Sequence, residues 1–247
     1  MEVSSLVLLS SETALRRRLD VVANNIANLN TTGFKREAPV FREMVDRMAP
    51  AGAEPDGGRR VSFVVDLGVV HDTAQGNFNS TGNPLDAMID GAGYFKLQRP
   101  DGSFAYTRAG HFQVSASGQL VGPGGLPVVS STGQPIEVPT DEAQALSVTP
   151  DGAVNGRRGE LGRIGVFRFA NEGVLAQAGD GLFDGPATDI PGEAKLKVGG
   201  VEASNVNAVV ETSDLVEIMR TYQSSQRLAD SINDLRRRSL DRLDGVN

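Results

Sequence analysis

Cysteine is missing from all 247 residues of the sequence. Its absence excludes disulfide bonds, thiolate nucleophiles and zinc sites built from cysteine thiolates. A chain without cysteine is compatible with reducing and oxidising compartments alike, so an extracytoplasmic location is permitted but not required. Whatever the protein does, it does without cysteine chemistry.

An excess of basic residues is also missing. The 24 lysines and arginines are outnumbered by 31 aspartates and glutamates, which gives a net charge of -7. Binding to nucleic-acid phosphates requires a concentrated basic surface. Two arginine triplets, at 16–18 and 236–238, lie inside helical patterns and are typical of solvated helix faces. We therefore expect no nucleic-acid partner.

The apolar run near the N-terminus is short. It covers residues 6–9, too few for a membrane span or for the hydrophobic region of a signal peptide, and no basic segment precedes it. We therefore expect no direct membrane span. If the protein leaves the cytoplasm, we expect an export route that does not cleave a signal peptide.

Recognisable catalytic and metal-binding patterns are absent as well. The only histidines, His71 and His111, are far apart, and neither has partners at the spacing of a metal ligand or a catalytic base. The Asp-Gly pairs follow no calcium-loop spacing, and Gly91-Ala92-Gly93 lacks the third glycine of a dinucleotide fingerprint. The sequence predicts no enzyme, no metal and no cofactor. A secreted β-rich hydrolase is the alternative that a measured turnover would support.

Both ends of the chain carry helical patterns. From Ser4 to Leu29, apolar residues recur at spacings of seven, four and three, as along one face of a helix. From Ala208 to Leu243 there is neither glycine nor proline, and a second stripe runs along this stretch with an interruption at 225–226. Two such helices can bury each other or pack against neighbouring molecules.

The middle of the chain has a different composition. Residues 50–200 hold most of the 29 glycines and 12 prolines, and Asp-Gly and Asn-Gly pairs separate short β-type runs. The sequence therefore predicts an α+β protein in which long N- and C-terminal helices pair as a coiled coil, with a central all-β domain of short strands. The predicted segments are 1–34 (first helix), 35–78 (linker and subunit bridge, with a flexible connector at 49–60), 79–204 (β domain) and 205–247 (second helix).

Several motifs resemble those of one family. The segment Asn24–Lys35 resembles the N-terminal signature of the flagellar basal-body rod and hook proteins. Residues 75–95, 106–112 and 118–121 are similar to the family's entry into its first outer domain. Residues 202–207 are similar to its return into the core. Because all the motifs occur in the expected order, the chain is identified as a member of this family.

The resemblance implies a structural function. Family members assemble in the periplasm into a hollow helical shaft that transmits torque, from copies of themselves and other rod proteins. They leave the cytoplasm through the flagellar type III export apparatus without signal cleavage. The compact length and the opening at 15–22 are most like a proximal-rod subunit, with a distal-rod or hook-type subunit as the alternative. A secreted adhesin that forms a closed oligomer is the alternative from outside the family.

Candidate interface residues come from the two helical stripes and from the signature. The asparagines at 24–30 are poor helix formers, so they either cap the helix end or form hydrogen bonds across a subunit interface. The predicted assembly interface consists of Leu15, Leu19, Val22, Asn25, Ile26, Asn28, Leu29, Thr32, Gly33, Phe34, Leu215, Ile218, Met219, Tyr222 and Ile232.

Overall fold

A computed structural model describes the chain in two compact units. The described residues are 2–48, 59–139, 141–143, 145–169, 172, 175–185, 190–192 and 195–244. The helical unit comprises Met1–Ala27, Glu37–Val70 and Asn207–Asn247, and the β unit comprises Asn28–Arg36 and His71–Val206. Each unit is therefore built from stretches that are distant in sequence. Most of the predicted connector, residues 49–58, lies outside the described residues.

In its described residues, the helical unit contains two helices and two long strands. Helix α1 spans Glu2–Ala27 and α2 spans Ala208–Asp244, while β1 (Glu37–Met48) and β2 (Arg59–His71) form a two-stranded sheet. Asn207 caps α2, because its Oδ1 accepts hydrogen bonds from the amides of residues 209 and 210 at 3.0 and 3.3 Å. Within the described residues, neither helix combines the length and apolarity that crossing a bilayer demands.

The predicted coiled coil is wrong. The two helices share one short cluster of three buried residues, Leu15, Val22 and Ile218. Farther along α2, Leu228 and Leu235 are 53% and 62% exposed. A coiled coil needs its apolar seam on one face over several heptads, but Leu228 lies about 80° around α2 from Ile218. The broader α+β class, with terminal helices and a β-rich middle, agrees with the structure.

The β unit consists of short strands. Its largest sheet has six strands in the order β13-β14-β6-β5-β12-β15, a second sheet has the order β11-β10-β9, and β16-β4, β17-β3 and β7-β8 form pairs. The strands are β3 (Phe78–Ser80), β4 (Ala87–Ile89), β5 (Tyr94–Gln98), β6 (Phe104–Thr107), β7 (Gln113–Val114), β8 (Leu120–Val121), β9 (Ser147–Val148), β10 (Ala153–Gly156), β11 (Gly159–Arg163), β12 (Val166–Arg168), β13 (Ala176–Gly179), β14 (Leu182–Asp184), β15 (Ile190–Gly192), β16 (Leu196–Val198) and β17 (Gly200–Glu202).

Turn chemistry explains one of the hairpins directly. Asp180 and Gly181 join β13 to β14 with φ of 51° and 70°. Positive φ at both central residues is the requirement of the tight hairpin turn that Asp-Gly favours. By contrast, Asn155-Gly156, also a turn pair in the sequence, lies within β10.

Among the residues of the β unit that the structure describes, two apolar clusters pack against β5, one on each face. Phe95 and Leu97 belong to the larger cluster, whereas Tyr94 belongs to an aromatic cluster with Tyr106 and Phe183. Successive side chains of a strand point to opposite faces, so the two clusters follow from the alternation of residues 94–97. The short strands are therefore stabilised by packing on both sides of the central sheet.

Phe95 provides a test of this packing. Its ring is fully buried and lies edge-on against Phe112, with ring centroids 5.0 Å apart. We expect Phe95→Ala to lower the free energy of unfolding by about 3–5 kcal/mol, because it leaves a cavity in the core. Phe104→Ala is the matched control, since Phe104 is 37% exposed, and should cost at most about 1 kcal/mol. Denaturant titration of both variants measures the difference; equal losses would contradict the assignment of the core.

Candidate assembly interface

A buried asparagine joins three elements of the helical unit. Asn25 Nδ2 donates to the carbonyl oxygen of Glu37 at 2.9 Å and to Oε2 of Glu211 at 3.1 Å, while its Oδ1 accepts from the amide of Glu37 at 2.9 Å. These bonds connect the last turn of α1, the start of β1 and the first turn of α2. An unsatisfied buried amide costs about 1–3 kcal/mol, so the three bonds fix the register of these elements.

Much of the predicted interface lies around the shared cluster of α1 and α2. Four further residues, Leu19, Ile26, Leu215 and Tyr222, pack partly buried against Leu15, Val22 and Ile218. These seven residues therefore contact one another within one chain, and their role between subunits stays a prediction. Met219 lies outside the cluster and is 46% exposed, and Ile232 is partly buried farther along α2.

The remaining signature residues form a turn in the β unit. Asn28 accepts a hydrogen bond at its Oδ1 from Thr31 Oγ1 at 3.0 Å, and its carbonyl accepts one from the amide of Thr31 at 3.2 Å. Leu29 and Thr32 are partly buried. Asn28 therefore closes the turn that follows α1, and the choice between capping and a subunit contact for the asparagines at 24–30 stays open.

Gly33 and Phe34 lie in the interior of the β unit. Gly33 has φ of +69°, and a Cβ atom there would lie 2.5 Å from the backbone of Arg108 and of Ala109. Its amide donates to the carbonyl oxygen of Glu202 at 2.8 Å. Phe34 is 1% exposed. Only glycine combines this backbone conformation with so close an approach, which explains its place in the signature.

Next to Gly33 lies a buried group of charges, which we call the closure cluster: Lys35, Arg108 and Glu202. Lys35 Nζ lies 2.7 Å from Glu202 Oε1, and Arg108 Nη1 lies 3.5 Å from Glu202 Oε2. All three side chains are at most 2% exposed. Burial lowers the pKa of the Lys35 ammonium below its ordinary value, and the charge of Glu202 acts in the opposite direction.

Backbone groups add further hydrogen bonds to the closure cluster. Lys35 also donates to the carbonyl of Ala74 at 2.8 Å, Arg108 donates to the carbonyl of Gly91 at 2.8 Å, and Glu202 Oε1 accepts from the amide of Gly76 at 2.9 Å. One carboxylate therefore holds two cations and a backbone amide from three separate stretches of chain. Charge-assisted hydrogen bonds of this kind are stronger than neutral ones.

Asn205 connects the same stretches through its carboxamide. Its Oδ1 accepts from the amide of Arg36 at 2.6 Å, and its Nδ2 donates to the carbonyls of Asp72 and Ala74 at 3.0 and 2.9 Å. The family motifs in the sequence contain Lys35, Glu202 and Asn205, but these residues were not among the predicted site residues. The sequence feature that could have indicated them is a charged or amide side chain inside each motif, close to a glycine-rich turn.

A second polar group surrounds Asp86, which is 1% exposed. Its carboxylate accepts from Thr81 Oγ1 at 2.6 Å and from Asn83 Nδ2 at 2.8 Å, and His111 Nδ1 lies 2.8 Å from it. These contacts stabilise the turn before β4, which fits a structural role for His111. Across the described part of the chain, no three histidine, aspartate or glutamate side chains come together as a metal site would require.

The buried polar groups of both units therefore stabilise the fold. Comparison with known proteins identifies the class of protein. Three family models match: "Flagella basal body rod protein" over residues 6–35, "Flagellar hook protein FlgE/F/G D1 domain" over 88–156, and "Flagellar basal body rod FlgEFG protein C-terminal" over 197–242. All three describe structural components and none describes a catalytic family.

Similar proteins cover the chain almost entirely. The flagellar basal-body rod protein FlgF of Caulobacter vibrioides is 38% identical, with 100% of both chains aligned. FlgG proteins of Agrobacterium fabrum and Bacillus subtilis are 35% and 34% identical, over 90% and 88% of this chain and 92% and 90% of theirs. The chain belongs to the flagellar basal-body rod protein family, whose members are structural subunits of the rod. The resemblance inferred from the motifs is confirmed.

Gly33 can be tested against a glycine with the same backbone conformation. Gly82 has φ of +74°, but no atom lies within 4 Å of the place that a Cβ atom would take, so Gly82→Ala introduces backbone strain alone, about 1–2 kcal/mol. Gly33→Ala adds a collision with the backbone at 108–109 and should cost clearly more. Thermal or denaturant unfolding of the two variants measures the difference. Similar losses would show that the close approach at Gly33 is unimportant.

Lys35 can be compared with a lysine in an exposed ion pair. We expect Lys35→Met to lower the free energy of unfolding of the β unit by about 3–5 kcal/mol, because it leaves the Glu202 carboxylate buried without its closest cation. Lys197, 2.9 Å from Asp90, has a side chain that is 51% exposed. Lys197→Met should therefore cost less than about 1 kcal/mol. If both variants unfold at the same denaturant concentration, the buried pair contributes no more than an exposed one.

Proposed function

We propose that the chain is a subunit of the proximal rod, which polymerises through its terminal helices with copies of itself and with other rod proteins. The product is a hollow helical shaft that transmits torque. The observation that carries the proposal is apolar surface on both helices outside their shared cluster. Leu6 and Leu9 of α1 and Val209, Val216 and Met219 of α2 are 46–74% exposed.

The exposed residues of α2 have a helical spacing. Val209, Val216 and Met219 are separated by seven and three residues, so they lie along one side of the helix. Ile218, which is buried against α1, lies on another side. Helix α2 is therefore apolar on two sides, one used within the chain and one exposed. We take this exposed side as the surface that contacts neighbouring subunits, because exposed apolar patches mark sites of protein association.

In this proposal each segment has its own role. Residues 1–34 and 205–247 form the inner layer of the shaft, 35–78 bridges neighbouring subunits, and 79–204 forms the outer domain. The protein reaches the periplasmic part of the basal body through the flagellar type III export apparatus without a cleaved signal peptide, and it catalyses no reaction. Support comes from the rod-family matches at both ends of the chain.

The proximal position rests on the comparison with FlgF, which aligns over the whole chain. A distal-rod subunit is the alternative, because FlgG proteins align over about nine tenths of the chain at similar identity. A photo-crosslinker at position 209 of α2 distinguishes them in assembled basal bodies. Crosslinks to proximal-rod proteins support the proposal, whereas crosslinks confined to the distal rod and hook overturn it.

Met219→Lys tests the use of the exposed side of α2. We expect the variant to fold normally but to fail to enter the rod, because assembly would bury an unpaired ammonium. Thr221→Lys is the matched control: it adds the same charge at an exposed position about 120–160° around the same helix from Val209, Val216 and Met219. Swimming motility and the rod content of purified basal bodies provide the measurements. Normal incorporation of the Met219 variant would contradict assembly through this side of α2.

A further inference from the structure

The β unit is closed by a segment from its own C-terminal end. Lys35 and Glu202 are 167 residues apart in sequence, and the hydrogen bond from the amide of Arg36 to Asn205 spans 169 residues. Residues 33–36 and 202–205 therefore meet only when nearly the whole unit lies between them. Bringing such distant segments together costs chain entropy, so contacts of this kind slow folding.

The charges of Lys35 and Arg108 make the contact with Glu202 necessary for a compact β unit. Lys35 and Arg108 both precede Glu202 in the chain, and both become fully buried in the folded unit. If the β unit reached its folded burial without Glu202, Lys35 and Arg108 would be buried without the carboxylate that lies 2.7 and 3.5 Å from them. Burying charge without a partner is strongly unfavourable, which disfavours compact states that lack the C-terminal segment.

The backbone segments on either side of the contact between Lys35 and Glu202 approach each other closely. Glu202 lies in β17, which pairs with β3, and the amide of Ala203 donates to the carbonyl of Asn77 at 2.9 Å. A Cβ atom on Gly76 would lie 1.9 Å from the carbonyl oxygen of Ala203. The C-terminal segment of the β unit therefore packs directly against the backbone of the segment that precedes β3.

We propose that the β unit can fold only when Glu202 docks between Lys35 and Arg108. Until then the unit stays unfolded. Every other element of the unit precedes β17 in the chain. A chain that emerges N-terminus first therefore remains open until the end of the unit has emerged. This requirement for Glu202 keeps the β unit unfolded during synthesis, whatever position the subunit takes in the rod.

Pulsed hydrogen exchange during refolding of the full chain tests the order of events. Core amides at Leu120, Val128 and Ile136, each bonded within the β unit, report on the core. Amides of Gly33 and Ala203 report on closure. We expect all five to become protected in one kinetic phase. Protection of the core amides in an earlier phase overturns the proposal, whatever the variants do.

Glu202→Gln tests the role of the charge. We expect its refolding rate to fall at least tenfold while its unfolding rate changes less than threefold, because the missing interaction acts before the barrier. Glu160→Gln, at an exposed carboxylate, should change neither rate. A purely structural contact would instead accelerate unfolding and leave refolding unchanged, and that result overturns the proposal.

A double variant covers the case in which Glu202→Gln does not fold. Adding Lys35→Met removes one of the two cations that the carboxylate neutralises, so the double variant should refold faster than Glu202→Gln alone. Recovery of folding supports charge neutralisation as the step that allows the β unit to fold. A double variant that folds no better than the single variant overturns it.

Discussion

The carboxylate of Glu202 lies in the interior of the β unit between two cations, and the segments that carry those cations are otherwise far apart in the chain. Lys35 follows the signature turn and Arg108 follows β6. The carboxylate contacts both cations and also accepts the amide hydrogen bond of Gly76. In an interior of low polarity a carboxylate is tolerated only when opposite charges compensate it, and here Lys35 and Arg108 do so.

The helical unit is organised on the same principle with a neutral group. Asn25 has no exposed surface, and its carboxamide is fully used by Glu37 and Glu211. The family signature therefore supplies anchors to both units, Asn25 to one and Gly33 to Lys35 to the other. This double use gives a physical reason for the unusual composition of the segment, where asparagines follow one another near a helix end.

The sequence was informative where structure depends on local pattern. The terminal helices follow from apolar periodicity and the absence of glycine and proline, and β5 and β6 are short strands on either side of the Asp101-Gly102 pair. The coiled coil failed because periodicity predicts a helix but not the length over which its apolar face meets a partner, and Leu228 lies off the face of Ile218. The two long strands β1 and β2 lie in the segment 35–78, which was predicted as a linker and subunit bridge.

The closure cluster could not be predicted for a different reason. Its ion pair joins residues that are 167 positions apart, and no spacing rule connects a lysine after a turn to a glutamate at the end of a strand. Only the fold shows that both are buried. The motifs identified the family and the segments involved, but the charges that hold those segments together became visible only in three dimensions.

In our interpretation, Lys35 and Glu202 stabilise the β unit as a pair. A double-mutant cycle with Lys35→Met and Glu202→Gln, read from the free energy of unfolding of the full chain, measures this coupling directly. We expect a coupling free energy of at least about 2 kcal/mol, with the double variant more stable than the sum of the single losses implies. Losses that add within about 0.5 kcal/mol would show instead that the two residues act independently.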